Sequence, residues 1–278
     1  MNNKDFSQKL KGKSALVLGA IKGIGKEIAL NLMNQGCSTA LTYFDWLEEF
    51  ETLKNDLEKT KTNYSLHEIN LRDTEKIPLL INQVIEKHKK IDIFINNIER
   101  GGMPVVHGNY TKEQWDLEQE TTLRAKHFIF SEIFESMKIN KDACIINISS
   151  IAGIVGRTGP AGLIFNDGYA AANRGISLFT ETWARLGAPH IRVNELMLGF
   201  METRHGPKTR GWGLLEDNQK KAITAHTLLQ RTGKISDIIK AVNFLIHDSP
   251  FMTGSIIRLD GGYVLGGEKI PEMPEGVE

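Results

Sequence analysis

The sequence predicts one doubly wound α/β domain, a parallel sheet of about seven strands with helices on both faces. Three observations predict it. Strand-length apolar runs alternate with longer amphipathic stretches along the chain, the pattern of repeated βαβ units. The central runs are continuously apolar, as strands covered on both faces must be. A glycine-rich turn separates the first run from the first amphipathic stretch. A chain of 278 residues suits one such domain (residues 1–278) and is short for two.

Residues 14–18 (SALVL) form the first strand, and the glycine turn follows it. Residues 25–34 place Ile28, Ala29, Leu32 and Met33 at helical spacing. A second strand over 37–43 leads into a helix over 46–59 that aligns Leu47, Phe50, Leu53 and Leu57 on one face. A third strand (64–69) and helix (74–88) precede a fourth strand (91–96, IDIFIN). Thr111, with Gln114 three residues on, reads as the N-cap of a long helix reaching about Met137. A fifth strand (144–148), a helix (169–186) and a sixth strand (191–196) come next. Residues 200–227 are polar and glycine-containing and read as a lid-like insertion. Residues 236–247 cap and form a last helix, 255–259 a last strand, and 266–278 an irregular Pro/Gly/Glu-rich tail. No internal repeat or low-complexity linker interrupts the series.

Composition narrows the function. Apolar residues make up 41% and charged residues 24%, ordinary for a soluble globular protein. Lys+Arg and Asp+Glu both number 34, so the basic excess of a nucleic-acid or membrane-surface binder is missing. The apolar runs fall far short of the ~20 residues of a membrane span, and polar residues 1–10 carry no apolar signal core. Cys37 and Cys144 lie in or beside apolar runs, which favours buried free thiols over a disulfide. The expectation is a cytoplasmic protein with no nucleic-acid and no membrane partner. The eight histidines show no metal-ligand spacing, so no metal site is expected. His107, His205 and Trp212 fall in loop-like segments where they either meet substrate or simply solvate, and Trp115 and Trp183 sit on helices as packing or subunit-contact residues.

The turn itself reads Gly19-Ala20-Ile21-Lys22-Gly23-Ile24-Gly25. Glycines here permit a tight turn and let backbone N–H groups approach a pyrophosphate at a helix N-terminus. A glycine triplet alone also marks ordinary turns; its place between strand and helix is what gives it weight.

This G-x-x-x-G-x-G spacing resembles the short-chain dehydrogenase/reductase family, a Rossmann-like fold, and the resemblance spans nearly the whole chain. Asn96-Asn97 is similar to the family's Asn-Asn-Ala-Gly, and Asn147-Ile148-Ser149-Ser150 to the segment ending in its active-site serine. Tyr169-Ala170-Ala171-Ala172-Asn173 falls on its Tyr-x-x-x-Lys helix. Arg192-Val193-Asn194 with Gly199 and Thr203 resembles the loop after strand six, and Leu259-Asp260-Gly261-Gly262 the C-terminal signature. The resemblance implies an NAD(P)(H)-dependent oxidoreductase acting on a small carbonyl or secondary alcohol, and a homodimer or homotetramer. It places Gly19, Ile21, Lys22, Gly23, Ile24, Gly25, Tyr43, Asn70, Leu71, Asn97, Asn173 and Thr203 against the cofactor.

Cofactor choice turns on the end of the second strand, where NAD-preferring enzymes carry an acid for the ribose 2′-OH. Tyr43 stands there, with Asp45 two residues on. Lys22 matches the basic position that meets a 2′-phosphate in many relatives, so NADP(H) is favoured and NAD(H) remains open through Asp45. Charge alone fits a solvated turn lysine equally well.

The catalytic set implied by the resemblance is Tyr169 as proton donor or acceptor, Ser150 orienting the substrate oxygen, and the positions of Asn173 and Thr122. There the sequence departs from the family: Asn173 replaces the lysine that lowers the tyrosine pKa, and Thr122 the relay asparagine. Leu18, Ile98-Glu99 and Leu198 are further departures, and residues 151–168 form a longer connection than usual. An unperturbed tyrosine has pKa near ~10, about 0.1% phenolate at pH 7. It is a poor base for alcohol oxidation and already protonated for carbonyl reduction. Three readings follow: a carbonyl reductase; a catalytically impaired relative that binds dinucleotide as a sensor or scaffold; or a structural subunit that uses its two long helices as contact faces. Joint survival of Ser150, Tyr169 and the glycine turn favours the first.

Overall fold

Alternate residues of the central strands divide between two apolar cores, which sets the sheet in the middle of the molecule. Ala15 and Val17 face one core while Leu16 and Leu18 face the other, and Ile93 and Ile95 likewise oppose Phe94. In the computed structural model, which describes residues 8–44, 46–98, 111–202, 215–268 and 270–273, these strands form one seven-stranded sheet.

The elements are β1 (Ser14–Val17), α1 (Gly23–Asn34), β2 (Ser38–Tyr43), α2 (Phe50–Lys59), β3 (Tyr64–Glu68), α3 (Ile77–His88) and β4 (Ile93–Asn96). They continue with α4 (Lys112–Glu118), α5 (Ala125–Lys138), β5 (Ala143–Ser150), α6 (Ala152–Val155), α7 (Asp167–Gly187), β6 (Ile191–Leu198), α8 (Asp217–His226), α9 (Ile235–Asn243) and β7 (Ile256–Leu259). Strand order is β3-β2-β1-β4-β5-β6-β7, every pair parallel. The order reverses between β1 and β4, the point outside the carboxyl ends where doubly wound sheets bind ligands. One core packs α1 and α9 on the sheet; the other packs α3, α5 and α7.

Four local readings change. The long helix predicted from Thr111 begins as expected, with Thr111 Oγ1 accepting the Gln114 N–H and Gln114 Oε1 accepting the Thr111 N–H. It is not uniform: Gln119–Arg124 is π-helical. There the Thr121 hydroxyl bonds the Leu117 carbonyl (2.7 Å), a side-chain bond that competes with the helical ladder. The last helix is capped at Lys234, not Ser236, because the Asp237 carboxylate accepts the Lys234 N–H (3.0 Å), and it widens into a π-helical turn over Phe244–Asp248. Residues 200–227, read as polar loop, contain α8. The 151–168 connection contains α6 and a 3-10 turn at Gly159–Leu163, held by the Tyr263 hydroxyl accepting the Ala161 N–H (2.7 Å). Asp45, Glu99, His107, the 101–109 loop, Thr203, His205 and Trp212 lie outside the described residues.

Both cysteines are buried and unpaired, as the apolar flanks predict. Burial pushes the Cys37 thiol up to about 12 and the Cys144 thiol up to about 11. Trp183 is buried and stacks on Phe130 and Phe179, while Trp115 is exposed. No helix among the described residues is long and apolar enough to cross a membrane.

Candidate active site

The glycine turn is shaped by what approaches it. Gly19 has φ +61°, and a side chain there would meet the Asn97 carbonyl oxygen at 2.9 Å. At Gly25 a Cβ would fall on the Gly19 carbonyl oxygen and within 2.7 Å of Asn97 Nδ2. Glycine is therefore required at both positions for backbone to pass backbone. Asn97 Nδ2 donates to the Leu18 carbonyl (3.3 Å). Thr42 completes the turn from β2: its hydroxyl accepts the Gly19 N–H (3.1 Å) and its carbonyl the Ala20 N–H (2.9 Å). Thr42 was not singled out in the sequence, where it is only a polar residue inside a strand. Helix α1 starts at Gly23 after Lys22, with no side-chain cap and no acid in its first turn, which keeps its positive end suited to an anion.

Ile21 is buried, so it can reach a ligand only through its backbone groups, whereas Ile24 is half-buried against the core. Lys22 Nζ lies 3.0 Å from the Trp46 ring centroid. Tyr43 pairs with Glu68 across β2 and β3. Its phenol is held above the usual range by burial, then by the Glu68 carboxylate. Asn70 Oδ1 accepts the Arg72 N–H (3.2 Å), and Leu71 is buried. These groups fit a dinucleotide: a cradle that only glycine admits, an uncapped helix start, and a cation and a phenol at the outer rim.

The second half of the site lies two strands away, at the carboxyl end of β5. Ser150 Oγ accepts the Ala152 N–H (3.2 Å), which leaves its own proton for a substrate oxygen. Tyr169 lies in the first turn of α7, and its N–H is capped by Asn166 Oδ1 (2.7 Å). Between them stands Asn173, 1% exposed. Its Oδ1 accepts the Ser150 N–H (2.9 Å) and its Nδ2 donates to the Tyr169 carbonyl (3.0 Å). One buried amide thus ties serine to tyrosine helix. Thr122 lies in the π-helical turn, fully buried, and its hydroxyl has no hydrogen-bond partner among the described residues. Gln119, the first residue of the same π-helical turn, donates to the Gly168 carbonyl (3.0 Å) and fixes this turn to the start of α7.

An apolar cluster walls the tyrosine: Phe165 stacks on Phe200 (5.4 Å) and lies 5.8 Å from the Tyr169 ring, and Tyr263 meets Phe200 at 5.0 Å. Sequence reading missed this wall because its members come from three separate segments. No group of three His, Cys, Asp or Glu among the described residues is placed to hold a metal.

Known proteins share the fold and much of the sequence. The family described as enoyl-(acyl carrier protein) reductase matches residues 19–264. The 3-oxoacyl-(acyl-carrier-protein) reductase FabG of Thermotoga maritima is 29% identical over 261 residues, covering 92% of this chain and 100% of that protein. The protein of the same name from Rickettsia bellii is 31% identical over 260 residues, covering 92% and 98%. A crystal structure from Sinorhizobium meliloti, described as a short-chain alcohol dehydrogenase, superposes with a TM-score of 0.80 at 28% identity, covering 94% of this chain and 99% of that one.

Proposed function

The chain belongs to the short-chain dehydrogenase/reductase family of oxidoreductases, and we propose that it is an NADP(H)-preferring carbonyl reductase with Tyr169 as proton donor and Ser150 orienting the substrate oxygen. The observation that carries this reading is the Asn173 amide, which bonds the backbones of both Ser150 and Tyr169 and so fixes them to each other. The named relatives are 3-oxoacyl-(acyl-carrier-protein) reductases; a ketone is the substrate class they support.

The glycine turn, the open start of α1 and Asn97 would hold the dinucleotide, Lys22 and Tyr43 its adenosine end, with Asn70 and Leu71 at its border; Thr203, assigned to the cofactor by the family resemblance, lies outside the described residues. Bound there, the dinucleotide supplies a hydride. Ser150 donates a hydrogen bond to the carbonyl oxygen, and the Tyr169 hydroxyl passes its proton to that oxygen as the alcohol forms. Asn173 brings no cation, which directs the enzyme to reduction, where the neutral phenol is the required form. Thr122, at the relay position, offers a buried hydroxyl beside the start of α7. The chain associates with copies of itself through α5 and α7, where exposed Leu178 and Leu186 line an apolar groove together with Phe134 and Trp183.

A second reading, dinucleotide binding without turnover, is favoured by the same Asn173, because its amide is engaged by backbone groups where the family places a lysine. Titration with NADPH and NADH separately, followed by nicotinamide absorbance against a panel of ketones, separates the two. The reductase reading expects tighter binding of NADPH, turnover of ketones, and a ~100-fold or larger loss of turnover in Tyr169→Phe with binding retained. Binding without turnover supports the second reading, and turnover that survives Tyr169→Phe removes Tyr169 as the acid.

A further inference from the structure

Strand β5 outruns its neighbour. Its pairing with β4 ends at Asn96 and Asn147, whereas its pairing with β6 continues to Ser150 and Leu198. Strand residues turn their backbone groups alternately to the two sides. The Cys144 N–H bonds Asp92 on the β4 side and the Ile151 N–H bonds Leu198 on the β6 side. Ile148 and Ser150 therefore face a side where no strand remains. A buried carbonyl and a buried N–H are left to be satisfied by something else.

Two side chains do so. Asn173 Oδ1 accepts the Ser150 N–H, as described above. Lys126 Nζ donates to the Ile148 carbonyl at 2.7 Å. Lys126 is 1% exposed, on the first turn of α5, four residues after Thr122 and so on the same helix face. A lysine so deeply buried demands a counter-charge. Glu195 of β6, fully buried, interacts electrostatically with it. One oxygen of Glu195 also accepts from the Ser149 and Ser177 hydroxyls, the latter at 3.2 Å. Asn147 closes the series, donating to the Thr180 hydroxyl (2.9 Å) and accepting from Asn96 Nδ2 (3.0 Å). Four consecutive residues of β5, from Asn147 to Ser150, thus each carry a polar tie, to α5, α7 or β6.

We propose that Lys126, counterbalanced by Glu195, is a positioning residue: it takes the place of the missing strand at Ile148 and so sets where Ser150 stands relative to Tyr169. This rests on the reductase reading for its catalytic consequence, though not for its geometry. Neither residue touches substrate; both act through the end of β5. Displacement of a substrate-orienting group by about 1 Å costs turnover on the order of a hundredfold.

The test compares Lys126→Met/Glu195→Gln, which removes donor and counter-charge together, with Ser149→Ala, which detaches Glu195 from the strand while leaving the charge pair in place. Both are assayed for kcat and KM, for NADPH affinity, and for amide hydrogen exchange over 147–151. Positioning predicts kcat lowered ten- to a hundredfold, KM and NADPH affinity within about twofold, and faster exchange at 147–151 with β1 and β2 unchanged. Lys126→Gln/Glu195→Gln, equally neutral but with a donor restored, recovers part of kcat. Wild-type kcat in folded Lys126→Met/Glu195→Gln, or in Ser149→Ala should the double variant not fold, overturns the proposal. If the wild-type protein itself turns over no ketone, the reductase reading has failed; the exchange measurement then decides the positioning alone, and unchanged protection at 147–151 overturns it.

Discussion

Asn173 shows how one residue serves two ends. In sequence it is a missing cation; in the structure its amide is the acceptor of the Ser150 N–H and a donor to the Tyr169 carbonyl. Asn173→Ala should therefore do more than remove a cofactor contact. It leaves the buried Ser150 N–H without an acceptor, a cost of about 1–3 kcal/mol, readable as a lower urea midpoint at unchanged slope, and it should lower kcat by releasing Ser150. A midpoint equal to wild type would show that another group takes over the N–H. Asn173→Lys loses the same acceptor but adds a cation one turn from Tyr169, so it is read as a ratio: alcohol oxidation at pH 7 should rise relative to ketone reduction when compared with Asn173→Ala. The positions of Ser150, Tyr169 and Asn173 were legible in sequence as a spaced set. The amide's two bonds were not, because they depend on the β5–α7 approach.

Among elements, the β1–turn–α1 unit is the most local, and its prediction is correspondingly direct. Gly25→Ala puts a methyl on the Gly19 carbonyl, so the turn must open; dinucleotide affinity should fall at least about tenfold, measured by fluorescence titration, with far-UV dichroism unchanged. An affinity equal to wild type would show that the turn is not the phosphate cradle. The alternation of short apolar runs with amphipathic stretches made all seven strands legible to within two residues or so, and the Thr111–Gln114 box marked a helix start because capping needs only neighbours three apart. The π-helical turn at Gln119–Arg124 and the helix α8 were not legible. The first depends on how Thr121 and Thr122 pack against α7, and the second has a mostly polar sequence whose Ile223 alone reaches the core.

At the scale of the whole molecule, stability should depend on pH through a histidine at the sheet's edge. His88 closes α3 with its ring between the Ser38 and Ser65 hydroxyls, both at 2.7 Å, and burial lowers its pKa to about 4. The unfolded chain, titrating near the usual ~6.5, binds the proton more readily. Stability from the neutral ring is thus fully present above pH ~6.5 and is lost as pH falls toward 4. His67 and His247 are also lowered, chiefly by burial, and add in the same direction. Tm should fall between pH 7 and pH 4.5, and less steeply in His88→Gln; equal slopes would exclude His88 as a source. The sequence by itself determined the alternation of strands and helices, the glycine turn between β1 and α1 and the identity of the candidate catalytic residues, since each is written in spacings of a few residues. Tertiary structure alone decided what those residues do for one another. Lys126, Ser149 and Glu195, and likewise Phe165, Phe200 and Tyr263, lie far apart in the chain and meet only when strands and helices pack. A buried charge or hydroxyl has a meaning only through the partner that replaces water around it.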